Sequence, residues 1–146
     1  MAAIKIGIIG VGNCASALLQ GIAYYRRKNR NDAIGILNWS INGFTPGDIE
    51  VVSAFDIDKR KVGKDVHNAI FELPNCTRKF VDHLPRAGVA VSMGKILDGF
   101  AEHMKNYEPD YTFLLCDQKE PTQRDVVEIL KDSGTEVLLN YLPVGS

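Results

Sequence analysis

Gly10, Gly12 and Ala15 stand in the spacing G-x-G-x-x-A, directly behind the apolar, β-branched run Ile4–Ile9. At a strand-to-helix junction these residue types suit the binding of a dinucleotide pyrophosphate. Gly10 permits a tight turn out of the strand. Gly12 carries no Cβ, so the backbone can approach a phosphate, and Ala15 lets the helix lie close on the strand. The first N–H groups of that helix have no partner inside it, and its dipole makes this end positive. An anion is therefore favoured beside Val11, Gly12, Asn13 and Cys14. Asp56 ends a second apolar run, Ile49–Phe55, and is the complementary group. A carboxylate there accepts hydrogen bonds from adenosine ribose hydroxyls and repels the 2′-phosphate of NADP. It follows Gly12 at more than the usual ~20 residues, and the turn-rich stretch 31–49 accounts for the excess. Lys59 and Arg60 offer the opposing 2′-phosphate reading, but the position of Asp56 favours NAD.

Other candidate chemistry is thinner. Cys14 stands at a helix N-terminus, where a thiol pKa can fall, yet a small packing residue explains it as well. Asp58 suits a helix cap. His67, His83 and His103 show no metal-ligand spacing with one another or with cysteine, so no metal site is expected. Neither G-x-S-x-G nor G-x-x-x-x-G-K-[ST] occurs, and no general acid–base set assembles. No catalytic residue is expected, only a cofactor cradle. Cys14, Cys76 and Cys116 are odd in number with no C-x-x-C pair, which points to free thiols in a reducing cytoplasm.

The elements that would hold the cradle follow from periodicity. Ala15, Leu18, Leu19, Ile22 and Ala23 predict a helix over about 13–28, closing on Arg26, Arg27, Lys28 and Arg30 as a solvated, dipole-complementing turn. Strand-like runs follow at 49–55, 89–91, 111–115 and 136–141, with helical spacing at 59–71, 97–107 and 121–131. The alternation predicts an α/β fold, a Rossmann-like doubly wound parallel sheet covered on both faces, with 136–141 buried. The 146 residues suit one domain. Seventeen basic and 18 acidic residues give a net charge of −1, which excludes the basic field of a nucleic-acid or anionic-membrane binder. No apolar run approaches the ~18 residues of a membrane span, and no cleavable leader is expected.

Together the details are similar to a known family. Val11-Gly12-Asn13-Cys14-Ala15-Ser16, Gln20-Gly21-Ile22-Ala23-Tyr24-Tyr25 and Ala54-Phe55-Asp56-Ile57-Asp58 resemble the inositol-1-phosphate synthases in their shorter bacterial and archaeal form. So do Lys61-Val62-Gly63-Lys64-Asp65, Leu97-Asp98-Gly99 and the closing Asn140-Tyr141-Leu142-Pro143-Val144-Gly145-Ser146. The resemblance implies NAD, glucose 6-phosphate as substrate, a redox-neutral cyclisation and a homotetramer. It also implies that Asp65 contacts the cofactor and that Ser133, Tyr141 and Pro143 lie along the nucleotide. Members of that family run on well beyond this length. The expectation is therefore an N-terminal NAD-binding part, residues 1–146, with an incomplete sheet and without the catalytic and tetramerisation region. Such a part would be inactive alone and would expose apolar faces that favour association. A fragment of an NAD-dependent dehydrogenase and a non-enzymatic NAD-sensing module are the alternatives.

Overall fold

A computed structural model of the protein describes residues 3–142. Strand β1 (Ile4–Ile9) buries Ile6, Gly7 and Ile8 in succession, as a strand covered on both faces must. It lies between β2 (Ile49–Asp56) and β4 (Val137–Asn140), while β3 (Ser92–Met93) pairs with the end of β2. Every pairing is parallel, and the order is β3-β2-β1-β4. Ile4 pairs with Ile49 and Ile9 with Phe55, with one register shift after Ile6. All four strands thus end at one edge, and the chain crosses from one side of β1 to the other. That reversal creates a crevice at the carboxyl ends of the strands.

Helix α1 (Asn13–Arg26) starts straight after the glycine turn and buries Ala15, Ser16, Leu19, Gln20 and Ile22 along one face. Of these, Ala15, Leu19 and Ile22 join Ile8, Val51, Ala54 and Val66 in the core. Buried Gln20 is fully satisfied. Its amide donates to the carbonyl of Arg78, and its carbonyl accepts the N–H groups of Phe80 and Val81. The basic end of α1 is more than a solvated turn. Arg26 donates to the carbonyls of Gly47 and Ile49, and Arg27 to that of His83, so the helix end is fastened to its neighbours.

Several expected elements differ in the structure. The helix anticipated over 59–71 is confined to α2 (Val66–Ala69), because 58–64 is a string of turns fastened through Asp58 and Lys61. The 97–107 segment holds only a 3₁₀ turn, Glu102–Asn106, since Leu97 has a left-handed backbone (φ 44°) that no helix admits. The strand expected at 111–115 is irregular apart from one bridge between Leu115 and Asp58. Helix α3 (Gln123–Asp132) matches expectation and carries a capping box between Thr122 and Asp125, yet buries none of its residues fully. Strand β4 is an exposed edge rather than a buried strand. Val137 and Leu138 remain 44% and 43% exposed.

Candidate functional site

The turn between β1 and α1 is built by glycine at one point and by clamping at the next. Gly10 has φ +90°, a conformation costly for any L side chain. Its N–H donates to the carbonyl of Phe55 at 2.9 Å. Val11 follows, fully buried and held at both ends. Its N–H donates to Oδ2 of Asp56 at 2.8 Å, while its carbonyl accepts from Nζ of Lys61 at 2.9 Å and Nδ2 of Asn75 at 3.0 Å. Gly12 then caps α1 without a side-chain bond, and no acidic residue occupies the first turn. A Cβ placed on Gly12 would meet no atom within 4 Å. The glycine therefore leaves open space that no part of the described chain fills.

That space belongs to a cavity of about 770 Å3, within the roughly 300–1,000 Å3 usual for small-molecule sites. It lies at the carboxyl ends of the strands. Gly10, Gly12, Asn13, Asp56 and Tyr141 all line it, joined by apolar walls that include Ile57, Ile96, Phe113 and Val126. A pyrophosphate fits the bare helix N-terminus, and a flat, apolar base fits the wall beyond Asp56. The residues present thus suit a dinucleotide.

The other expected site residues lie elsewhere. Ala15 is fully buried on the inner face of α1, and Cys14 is exposed on its first turn without lining the cavity. Asp65 does not line it either. Its carboxylate caps α2 at the N–H of His67 and holds the N–H groups of Ala87 and Gly88. Burial pushes its pKa up, but these three amides prevail and keep it below the usual carboxylate range. Ser133 ends α3, donating to the carbonyl of Leu130 and joining a hydroxyl chain through Thr135 to Ser53. Pro143 lies outside the described residues.

Asp56 holds its own loop as well as facing the cavity. Oδ1 accepts the N–H groups of Ile57 and Asp58 at 2.8 and 2.9 Å, and Oδ2 accepts that of Val11. Arg60 is not available for a 2′-phosphate. It donates to Asp58 and to the carbonyls of Pro109 and Thr112. Asp58, expected as a cap, is fully buried and accepts from Arg60 and from the N–H of Leu114. Burial alone raises its pKa. The Arg60 guanidinium and the two amides outweigh this and hold it low.

Sequence reasoning missed Lys61 and Asn75 as parts of the site. Lys61 is completely buried, and its ammonium also lies 3.8 Å from Oδ2 of Asp56. Burial lowers its pKa, opposed by the charges of Asp56 and Asp58. Among the described residues, no three His, Cys, Asp or Glu side chains gather to hold a metal ion.

No family model matches the chain. Individual relatives do. It is 40% identical over 144 residues to the inositol-3-phosphate synthase of Mycolicibacterium smegmatis and 39% identical to that of Corynebacterium glutamicum. In each case 98% of this chain is matched. Over nearly its whole length the chain is thus similar to inositol-3-phosphate synthases. It spans about 37% of the length of the curated synthases it matches. The crystal structure of Ari2 superposes on 97% of this synthase-related chain with a TM-score of 0.76 and 32% identity, covering 38% of that protein. The parallel α/β sheet and its Rossmann-like order are therefore shared with a solved structure as well as implied by the pairing pattern. No helix among the described residues is long and apolar enough to cross a membrane.

Proposed function

We propose that this chain is the NAD-binding part of an inositol-3-phosphate synthase. The observation that carries the reading is the cavity at the strand ends, in which the glycine turn, Asp56 and Tyr141 meet on a chain related to these synthases. The bare first turn of α1 and the open space beside Gly12 would hold the pyrophosphate. The Asp56 carboxylate faces the ribose position with lone-pair capacity beyond its three amide bonds. Ile57, Ile96 and Phe113 would flank the adenine, excluding water from it. Arg60, being committed to Asp58 and two carbonyls, leaves NADP without its guanidinium. Lys61, fully buried, neutralises Asp56 from below rather than from the ligand side.

When bound, NAD supplies reversible hydride acceptance, which the redox-neutral conversion of glucose 6-phosphate to an inositol phosphate requires. The charged groups on the cavity wall are Asp56 and Lys95. With Asp56 assigned to the ribose, Lys95 has no second charged group on the wall to work with, and we propose no turnover by this chain alone. Asp65 and Ser133 would act by shaping the loops behind the site. A cytoplasmic setting is supported by Cys14, Cys76 and Cys116 being free thiols.

Calorimetric titration tests the reading. Saturable, stoichiometric binding of NAD+ with weaker binding of NADP+ is expected. No binding at millimolar NAD+ overturns it, and inositol phosphate formation from glucose 6-phosphate by the chain alone overturns the proposed inactivity.

A further inference from the structure

An apolar residue is often buried at lower cost than an ammonium, so the completely buried Lys61 calls for a reason beyond packing. Its three neighbours say what it is for. Nζ donates to the carbonyl of Val11 at 2.9 Å and to Oδ1 of Asn75 at 2.9 Å, and it lies 3.8 Å from Oδ2 of Asp56. Asn75 turns its Nδ2 to the same Val11 carbonyl at 3.0 Å. Two donors from one side therefore draw that carbonyl into the protein. In a planar trans peptide the carbonyl of one residue and the N–H of the next point in opposite directions. Drawing the Val11 oxygen inward thus turns the Gly12 N–H outward, toward the cavity that Gly12 lines. The clamp of Asp56 on the Val11 N–H fixes the preceding peptide plane in the same way.

We infer that Lys61 is a positioning residue for anion binding: through the Val11 carbonyl, and with Asn75, it aims the Gly12 amide at the pyrophosphate of a dinucleotide. The inference rests on the NAD-binding reading and deepens it. Lys61 itself touches no ligand. Its second effect is electrostatic. A positive charge beneath Asp56 offsets the carboxylate's repulsion of an incoming diphosphate. Because burial lowers the Lys61 pKa, this support weakens in alkaline solution before that of an ordinary lysine would.

The test compares the 146-residue chain with Lys61→Met and Asn75→Ala, using NAD+, ADP and adenosine as separate probes. Binding is followed by 15N–1H NMR and folding by circular dichroism. The expected result is a loss of about tenfold for NAD+ and ADP in Lys61→Met, with adenosine affinity unchanged and the Gly12 amide resonance displaced. Asn75→Ala, which keeps the charge, shows the same pattern with a smaller loss. Equal loss for all three ligands, or none for NAD+ and ADP in a folded variant, overturns the inference. Where Lys61→Met does not fold, the selectivity of Asn75→Ala decides in the same terms. Failure of the unaltered chain to bind NAD+ overturns the NAD reading itself, an outcome distinct from a variant that binds like it.

Discussion

Asp58 and Arg60, two residues apart, pair a fully buried carboxylate with a guanidinium that is 15% exposed and also grips the carbonyls of Pro109 and Thr112. With the Leu114 N–H on the Asp58 carboxylate, the pair ties the otherwise irregular 109–114 segment to the end of β2. Phe113, a cavity wall residue, is held in place by this tie rather than by any sheet. Asp58→Asn leaves a largely buried guanidinium without its counter-charge. The expected cost is about 3 kcal/mol of unfolding free energy, read by urea denaturation. A loss under about 1 kcal/mol would show the pair to be dispensable.

Acid should act through the same carboxylate. Asp58 and Asp65 are each held below the usual carboxylate range in the folded chain. Between their folded and unfolded pKa values the unfolded chain binds more protons, so stability falls as pH falls. Their contribution is complete above the unfolded value near 3.8 and is lost as pH drops through the lower folded values. Thermal midpoints measured from about pH 6 to pH 3 should decline at the acid end. Asp58→Asn should flatten that decline, and an unchanged slope would count against the assignment.

The two glycines of the turn should separate stability from binding. At Gly10 the backbone is left-handed, and a Cβ would come within 3.3 Å of Leu142 Cδ2 and the Tyr141 carbonyl carbon. Gly10→Ala should cost about 1–2 kcal/mol of stability. At Gly12 φ is −93° and the space is open. Gly12→Ala should leave stability within about 0.5 kcal/mol and weaken NAD+ by about tenfold or more. Denaturation and calorimetry on both variants check the contrast, which a stable Gly10→Ala would refute.

Among the described residues, strand β4 pairs on one side only and leaves Val137 and Leu138 more than two-fifths exposed. An apolar edge strand is a template for pairing with another chain. Sedimentation velocity of the 146-residue chain should show concentration-dependent association, and Leu138→Lys should reduce it. A monomer at every concentration would remove β4 from consideration as a contact surface.

The β1–α1–β2 half was legible because its signals are local. An apolar run, a glycine pair and a helical period specify each element within its own window. Asp56 was legible for the same reason, as the polar residue ending an apolar run. The segment from Lys59 to Leu115 was not, because long-range bonds replace regular structure there. The Lys59 N–H donates to the Leu114 carbonyl, and the Val66 N–H to that of Val89. Lys61 sits in a charged run with Lys59, Arg60 and Lys64, where burial of one lysine has no periodic signature. Its one sequence hint is the pair of aspartates, Asp56 and Asp58, just upstream. The exposure of β4 was likewise hidden, since an apolar run reads as buried whether or not a neighbour covers it.

Asn13 joins two walls of the cavity. Its Oδ1 accepts the N–H groups of Cys76 and Thr77 at 2.8 and 3.0 Å, and the Thr77 hydroxyl as well. The start of α1 and the 75–77 loop are thus latched together by bonds that need no ligand atom. Because these bonds lie within the protein, the ordering entropy of that loop is spent during folding rather than at ligand encounter. The site should accordingly fill at a rate governed by diffusion and orientation rather than by closure of the 75–77 loop.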